Sequence, residues 1–125
     1  IHQKTGIGRL SAFCGAVCAG AAAGAGIAYL DGGGYEEAVH AVVNALSITA
    51  GMVCDGAKPS CAAKIAFSVN AGILGYVMYR DGQQFYGGDG IVKKGVENTI
   101  DSVAQLGREG MRATNEEIIK IMLGS

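Results

Sequence analysis

Tryptophan is absent from this 125-residue chain, proline occurs once (Pro59), and aromatic residues make up only 6% of it. A core must therefore come from close packing of small and aliphatic side chains rather than from large rings. A single proline and the lack of a G-X-Y period exclude collagen and proline-rich disorder. Charge is nearly balanced, at a formal net −1, so nothing in it suggests electrostatic capture of nucleic acid or of an anionic membrane surface. What the chain has in excess is glycine, with 21 residues, and alanine, with 19; glycine alone runs at more than twice its usual share of roughly 7%. Half of the residues are apolar, which excludes an acidic disordered tail. The length suits one small helical domain over 1–125. The chain starts at Ile1 without a methionine and reads as a piece of something longer.

The four cysteines are Cys14, Cys18, Cys54 and Cys61. They are too sparse for a disulfide-stapled mini-protein, and no signal-peptide pattern precedes them. The expectation is a cytoplasmic chain whose clustered thiols serve metal, cluster or redox chemistry, with buried structural cysteine as the alternative for each one. Residues 10–30 carry no charge and meet the length test for a membrane span. They are dominated by alanine and glycine rather than by the Leu, Ile, Phe and Val that drive insertion. The reading prefers a buried helix of a tightly packed bundle to a membrane span. The uncharged runs 41–53 and 65–79 are too short to span comfortably.

Residues 9–29 are helix-compatible, with Ser11 or Thr5 as candidate caps. Gly20 and Gly24 stand four apart, as do Cys14 and Cys18, so each pair is expected on one helix face, the glycines marking a packing seam. Asp31-Gly32-Gly33-Gly34 should end this helix, since glycine takes the left-handed cap conformation readily. A second helix over 35–50 has Glu36 and Glu37 in its first turn, where the helix dipole favours negative charge. Its Val39, Val42, Val43 and Leu46 recur at three- and four-residue steps. Gly51 breaks it, and Ser60 can cap a third helix running to about residue 79 through Ile65, Val69, Ile73 and Val77. Apolar residues fall on nearly every face of that helix, which predicts a central, buried position. Residues 81–90 are a loop or short hairpin. Val96, Ile100, Val103 and Leu106 mark a fourth helix ending near Gly107 or Gly110. Thr114 and Glu117 form a capping box for a fifth through Ile118, Ile121 and Met122. The expected fold is all-α, a compact bundle of about five helices.

The sharpest local feature is Cys54-Asp55-Gly56-Ala57-Lys58-Pro59-Ser60-Cys61. Two thiols bracket a turn, and the second opens a helix, whose N-terminus offers unpaired N–H groups and partial positive charge. Lys58 and Lys64 add cations nearby. Thiols in such settings serve as nucleophiles or metal ligands. Structural zinc uses pairs separated by two to four residues with a second pair to close the tetrahedron, which this spacing does not supply. The C-x₂-C-x₂-C run of ferredoxins is also missing. A cluster on three dispersed thiolates, with one iron open as a Lewis acid, remains beside buried structural cysteines.

Two stretches, Arg9-Leu10-Ser11-Ala12-Phe13-Cys14-Gly15 and Gly51-Met52-Val53-Cys54 continuing through Cys61-Ala62-Ala63-Lys64, resemble the alpha-type domain of iron–sulfur-dependent L-serine dehydratases. The closer likeness is to the L-cysteine desulfidase group, for which C-D-G-A-K-x-x-C is characteristic. Asp89-Gly90-Ile91-Val92 and residues 116–122 extend it over nearly the whole chain. The resemblance implies an all-α domain and a [4Fe–4S] cluster on Cys14, Cys54 and Cys61, with the fourth iron left for substrate and no pyridoxal phosphate. Cys18 has no counterpart and reads as a packing residue. Asp55 and Lys58 are motif residues and the catalytic candidates within the chain. Asn44 and Ser47 are candidate pocket polars, His40 a local hydrogen-bonding residue, and residues 32–34 a C-cap rather than an anion cradle. The activity implied is β-elimination from a small amino acid, either L-cysteine or L-serine. Family enzymes are considerably longer, so the catalytic base is expected outside this chain, in a missing amino-terminal half or a partner subunit. A homo-oligomer is compatible with this reading. The rival from another class is a non-catalytic helical interaction or membrane-associated module.

Overall fold

The computed structural model describes residues 1–7 and 11–124. Its helices are α1 (His2–Thr5), α2 (Gly15–Leu30), α3 (Tyr35–Thr49), α4 (Ser60–Arg80), α5 (Val96–Gln105) and α6 (Met111–Met122). Five have ten residues or more, and α1 is a single turn. Among the described residues there is no strand, only an isolated antiparallel bridge between Phe13 and Val53. The all-α expectation holds.

α2, α3 and α4 pack mutually and form the body of the molecule. Glycine makes the seam, as the four-residue spacing suggested. A Cβ on Gly20 would sit 2.2 Å from the Ser68 carbonyl oxygen, and one on Gly24 would sit 2.7 Å from the Gly72 backbone. A Cβ on Gly75 of α4 would likewise sit 2.9 Å from the Ala41 carbonyl oxygen of α3. Beneath the seam Phe13, Val17, Ala21, Leu46 and Val103 are fully buried in one core. At the α2–α3 turn Gly32 takes φ +91° and the N–H of Gly33 caps the Ala28 carbonyl at 2.8 Å, so the glycine run is a C-cap. Glu37 accepts the Gly34 N–H at 2.8 Å, using the first-turn acid as expected.

Several boundaries differ from the sequence reading. The first long helix begins at Gly15, not near residue 9; Arg9 and Leu10 lie outside the described residues. Residues 11–14 run extended, because the Cys14 N–H bonds the Met52 carbonyl (3.2 Å) and the Ala12 carbonyl accepts the Cys54 N–H. Cys14 is thus the N-cap of α2 (φ −76°, ψ 125°) and not a helical partner of Cys18. Ser11 does not cap α2; its hydroxyl donates to the Gly107 carbonyl at 2.6 Å and accepts the Phe13 N–H. Thr5 turns its hydroxyl back onto the carbonyls of its own short helix. Ser60 is already helical, since Pro59 sits at φ −54°, ψ −31° and starts the turn one residue early. Gly107 and Gly110 do not stop the chain's winding. A π-helical turn, Leu106–Gly110, joins α5 to α6, and Gly107 is buried there so close to Phe13 that an added Cβ would sit 3.1 Å from the ring. The last helix therefore opens at Met111, with Thr114 and Glu117 inside it rather than capping it.

α4 departs most from expectation. It is central, but not buried all round. Its inner face of Ser68, Ala71, Gly72, Gly75 and Tyr76 is covered, whereas Ile65, Phe67, Ile73 and Leu74 are 37–53% exposed. Close approach to α2 and α3 selects the small residues for the inner face, and the large apolar ones are left outside. α4, at 21 residues, is also the one helix among those described that is long and apolar enough to cross a membrane. α2, singled out from the sequence, is shorter.

Candidate functional site

The chain's thiols collect where α2 begins, α3 ends and α4 begins. The Phe13–Val53 bridge sets their placement. Side chains alternate along extended backbone, so Phe13 and Val53 share one face of the bridge, while Ala12, Cys14, Met52 and Cys54 share the other. Cys14 and Cys54 are then diagonal neighbours, a relation in which side chains remain within reach of each other. Cys14 is 7% exposed, and Cys54 and Cys18 pack partly buried against the same core. All four cysteines are free thiols.

Cys61 arrives by a different route. The segment from Asp55 to Pro59 turns through Gly56 at φ +88°, a conformation only glycine takes without strain. The Cys61 thiol folds back into this turn, accepting the Lys58 N–H and donating to the Gly56 carbonyl, both at 3.4 Å. One turn further along α4, Lys64 ties the loop to the bridge: its ammonium donates to the Val53 carbonyl at 3.0 Å and to the Asp55 carboxylate at 2.8 Å. Asp55 chiefly, then Cys14 and Cys61 at longer reach, raise the pKa of Lys64 above the ordinary lysine value. The same cation therefore feels two thiols from different segments. Lys64 is the residue whose role the sequence understated; its position one turn after Cys61 was the available signal.

Asp55 is engaged by Lys64, with Lys58 contributing at a distance, and its carboxyl is held below the usual range. The sign follows directly. The tie contributes fully above the ordinary carboxylate pKa and is lost as pH falls through the depressed one. Asp55→Asn should therefore flatten the acid limb of a melting-temperature profile below about pH 4, as thermal unfolding across a pH series would read. Lys58 itself is exposed on the loop. Burial, more than the neighbouring Cys14, raises the pKa of Cys18, which keeps it a neutral thiol.

The remaining candidates lie elsewhere. Asn44 is fully buried and clamps the bundle, donating to the Gly75 carbonyl at 2.9 Å and accepting the Phe85 N–H at 3.2 Å. Ser47 bonds back to the Val43 carbonyl. His40 stacks on Tyr79 at 4.1 Å and faces Glu36 at 3.5 Å, bordering a cleft of about 420 Å³ shared with Lys93 and Lys94. That cleft lies against the first half of α3, whereas the thiols gather at its other end.

A helical bundle that gathers its cysteines at one end, on loops fixed by backbone pairing, defines a thiol-bearing all-α domain. The chain belongs to the serine dehydratase alpha chain family, which residues 1–120 match. That is a lyase family, generally dependent on iron–sulfur clusters. A UPF0597 protein of Desulfitobacterium hafniense (strain Y51) is 68% identical over 123 residues, covering 98% of this chain and 29% of the relative. UPF0597 proteins of Lachnoclostridium phytofermentans and Treponema denticola are 54% and 50% identical, with 30% and 28% of their lengths covered. The chain thus spans less than a third of these curated relatives. No solved structure matches it.

Proposed function

We propose that this chain is the cluster-bearing portion of a β-eliminating lyase that converts L-cysteine and water to pyruvate, ammonia and sulfide, L-serine being the alternative substrate. The observation that supports this most is the bridge that sets Cys14 and Cys54 on one face, beside a Lys64 ammonium in electrostatic reach of both Cys14 and Cys61. Among the described residues no three His, Cys, Asp or Glu side chains stand close enough to hold a single metal ion. The donor set suits a wider group. Soft thiolates are the ligands of iron–sulfur clusters, and three of them match a [4Fe–4S] cluster with one iron left unliganded by protein. Such a cluster would supply an open Lewis-acidic iron beside the loop.

The chain's own residues do the holding. The bridge holds Cys14 and Cys54 on one face, Gly56 and Pro59 shape the turn that presents Cys61, and Lys64 offsets the negative charge that thiolates bring. Lys58, exposed between the second and third thiols, suits the carboxylate of an amino-acid substrate. The base that removes the α-proton lies in this reading outside residues 1–125, in the rest of the family-length protein.

The test is anaerobic purification of the family-length protein without added pyridoxal phosphate. Expected are equal amounts of iron and acid-labile sulfide, and pyruvate formed from L-cysteine faster than from L-serine. Protein that carries no iron under strict anaerobiosis yet retains full lyase activity would overturn the reading.

A further inference from the structure

α4 presents a face that the bundle does not use. Ala66, Phe67, Asn70, Ile73 and Leu74 are exposed along it and Val77 is half-buried. Phe67, Asn70, Ile73, Leu74 and Val77, together with the buried Ala71 and with Ile48 of α3, frame an apolar groove of about 360 Å³, and Ala66 continues the exposed face beside it. Their spacing is regular: 66, 70, 73, 77 and 67, 70, 74, 77 step by three and four, the seam of one helix packing on another. Asn70 is the single polar member, in the middle of the seam, where a lone amide fixes the register of a paired helix. No charged residue occurs between Lys64 and Arg80.

We propose that this seam is the seat of a helix contributed by the portion of the family-length protein outside residues 1–125. The inference rests on family membership and does not depend on the lyase chemistry. Three observations choose this occupant. This chain spans only 28–30% of its relatives' length, so more than two-thirds of such a molecule has to pack somewhere. The seam from residue 66 to 77 is about 17 Å long at 1.5 Å per residue. A strip of that length and one helix wide offers far less than the roughly 800 Å² per partner that holds separate molecules together. Covalent linkage removes that requirement, because a tethered segment acts at an effective concentration in the millimolar range. A bilayer is the poorer occupant: Lys64 and Arg80 bound only fifteen uncharged residues, about 22 Å, against a hydrocarbon core of about 30 Å.

The experiment uses the family-length protein with the photo-crosslinking residue p-benzoylphenylalanine in place of Asn70 and, in a separate variant, of Leu74, so that one position reports if the bulk of the other displaces its partner. After irradiation, peptide mapping should find an intramolecular link from 70 or 74 to a segment outside residues 1–125, with a yield independent of protein concentration. A link to residues 60–80 of a second copy, a link to lipid alone, or no link from either position would overturn the proposal.

Discussion

Gly72→Ala lowers the stability of the bundle by about 2–3 kcal/mol, the usual range for forcing extra volume into a packed interior. The added Cβ would stand 2.3 Å from the Gly20 carbonyl oxygen and 2.9 Å from the Gly24 backbone nitrogen. Neither neighbour is a side chain that can swing away, so α2 and α4 must separate along the whole seam. Alanine's better helix propensity returns only about 1 kcal/mol. Gly26→Ala provides the contrast on the same pair of helices. It lies in α2 with nothing within 4 Å of its added Cβ, so the substitution gains helix propensity and raises stability by about 0.5–1 kcal/mol. Urea midpoints followed by helical circular dichroism should move in opposite directions for the two variants. Shifts of the same sign would mean that the glycine seam does not hold the bundle together.

In the family-length protein, Cys61→Ser removes essentially all bound iron and pyruvate formation while changing stability by less than about 0.5 kcal/mol. Serine fits the turn, since its hydroxyl can still accept the Lys58 N–H that the thiol now accepts at 3.4 Å, but a neutral hydroxyl is a poor substitute for a thiolate on iron. Cys18→Ser should do the opposite. It places a hydroxyl in a partly buried site among apolar side chains, costing about 1 kcal/mol, and leaves iron content unchanged. Iron, labile sulfide and visible absorption measured anaerobically separate the two. Iron retained in Cys61→Ser, or lost in Cys18→Ser, would reassign the third thiol.

Much of the helical framework was legible because its signals are local. Gly32 to Gly34 with Glu37, the Val43–Leu46 periodicity and the Gly20–Gly24 spacing each report on residues within one or two turns. The misplaced boundaries share a different cause. Residues 11–14 look helical alone, but bonds to Met52 and Cys54, some forty positions away, and to Gly107 and Met111, farther still, hold them extended. Leu106–Gly110 looks like a helix end, but burial of Gly107 against Phe13 carries the winding through. On α4, hydropathy cannot tell which apolar residues face inward when the contact is made by glycine and serine. The cysteine motif was visible as a string; that Cys14 lies diagonal to Cys54 depends on the bridge and was not.

That bridge also bears on the order in which the molecule comes together. Residues 12–14 and 52–54 are the two ends of the α2–α3 hairpin, and antiparallel packing of the helices already returns one end to the other. Closing a loop of this length would otherwise cost chain entropy that grows with the logarithm of its size; here the hairpin has met most of that cost before the bridge forms. Cys14 and Cys54 are thus held within a single antiparallel helix pair, whereas Cys61 reaches the corner only through α4 and its glycine contacts. Amide hydrogens of Cys14 and Cys54, both donated across the bridge, should exchange more slowly than that of Cys61 in the first turn of α4, giving the corner a persistent pair of sulfurs and a third that can be released.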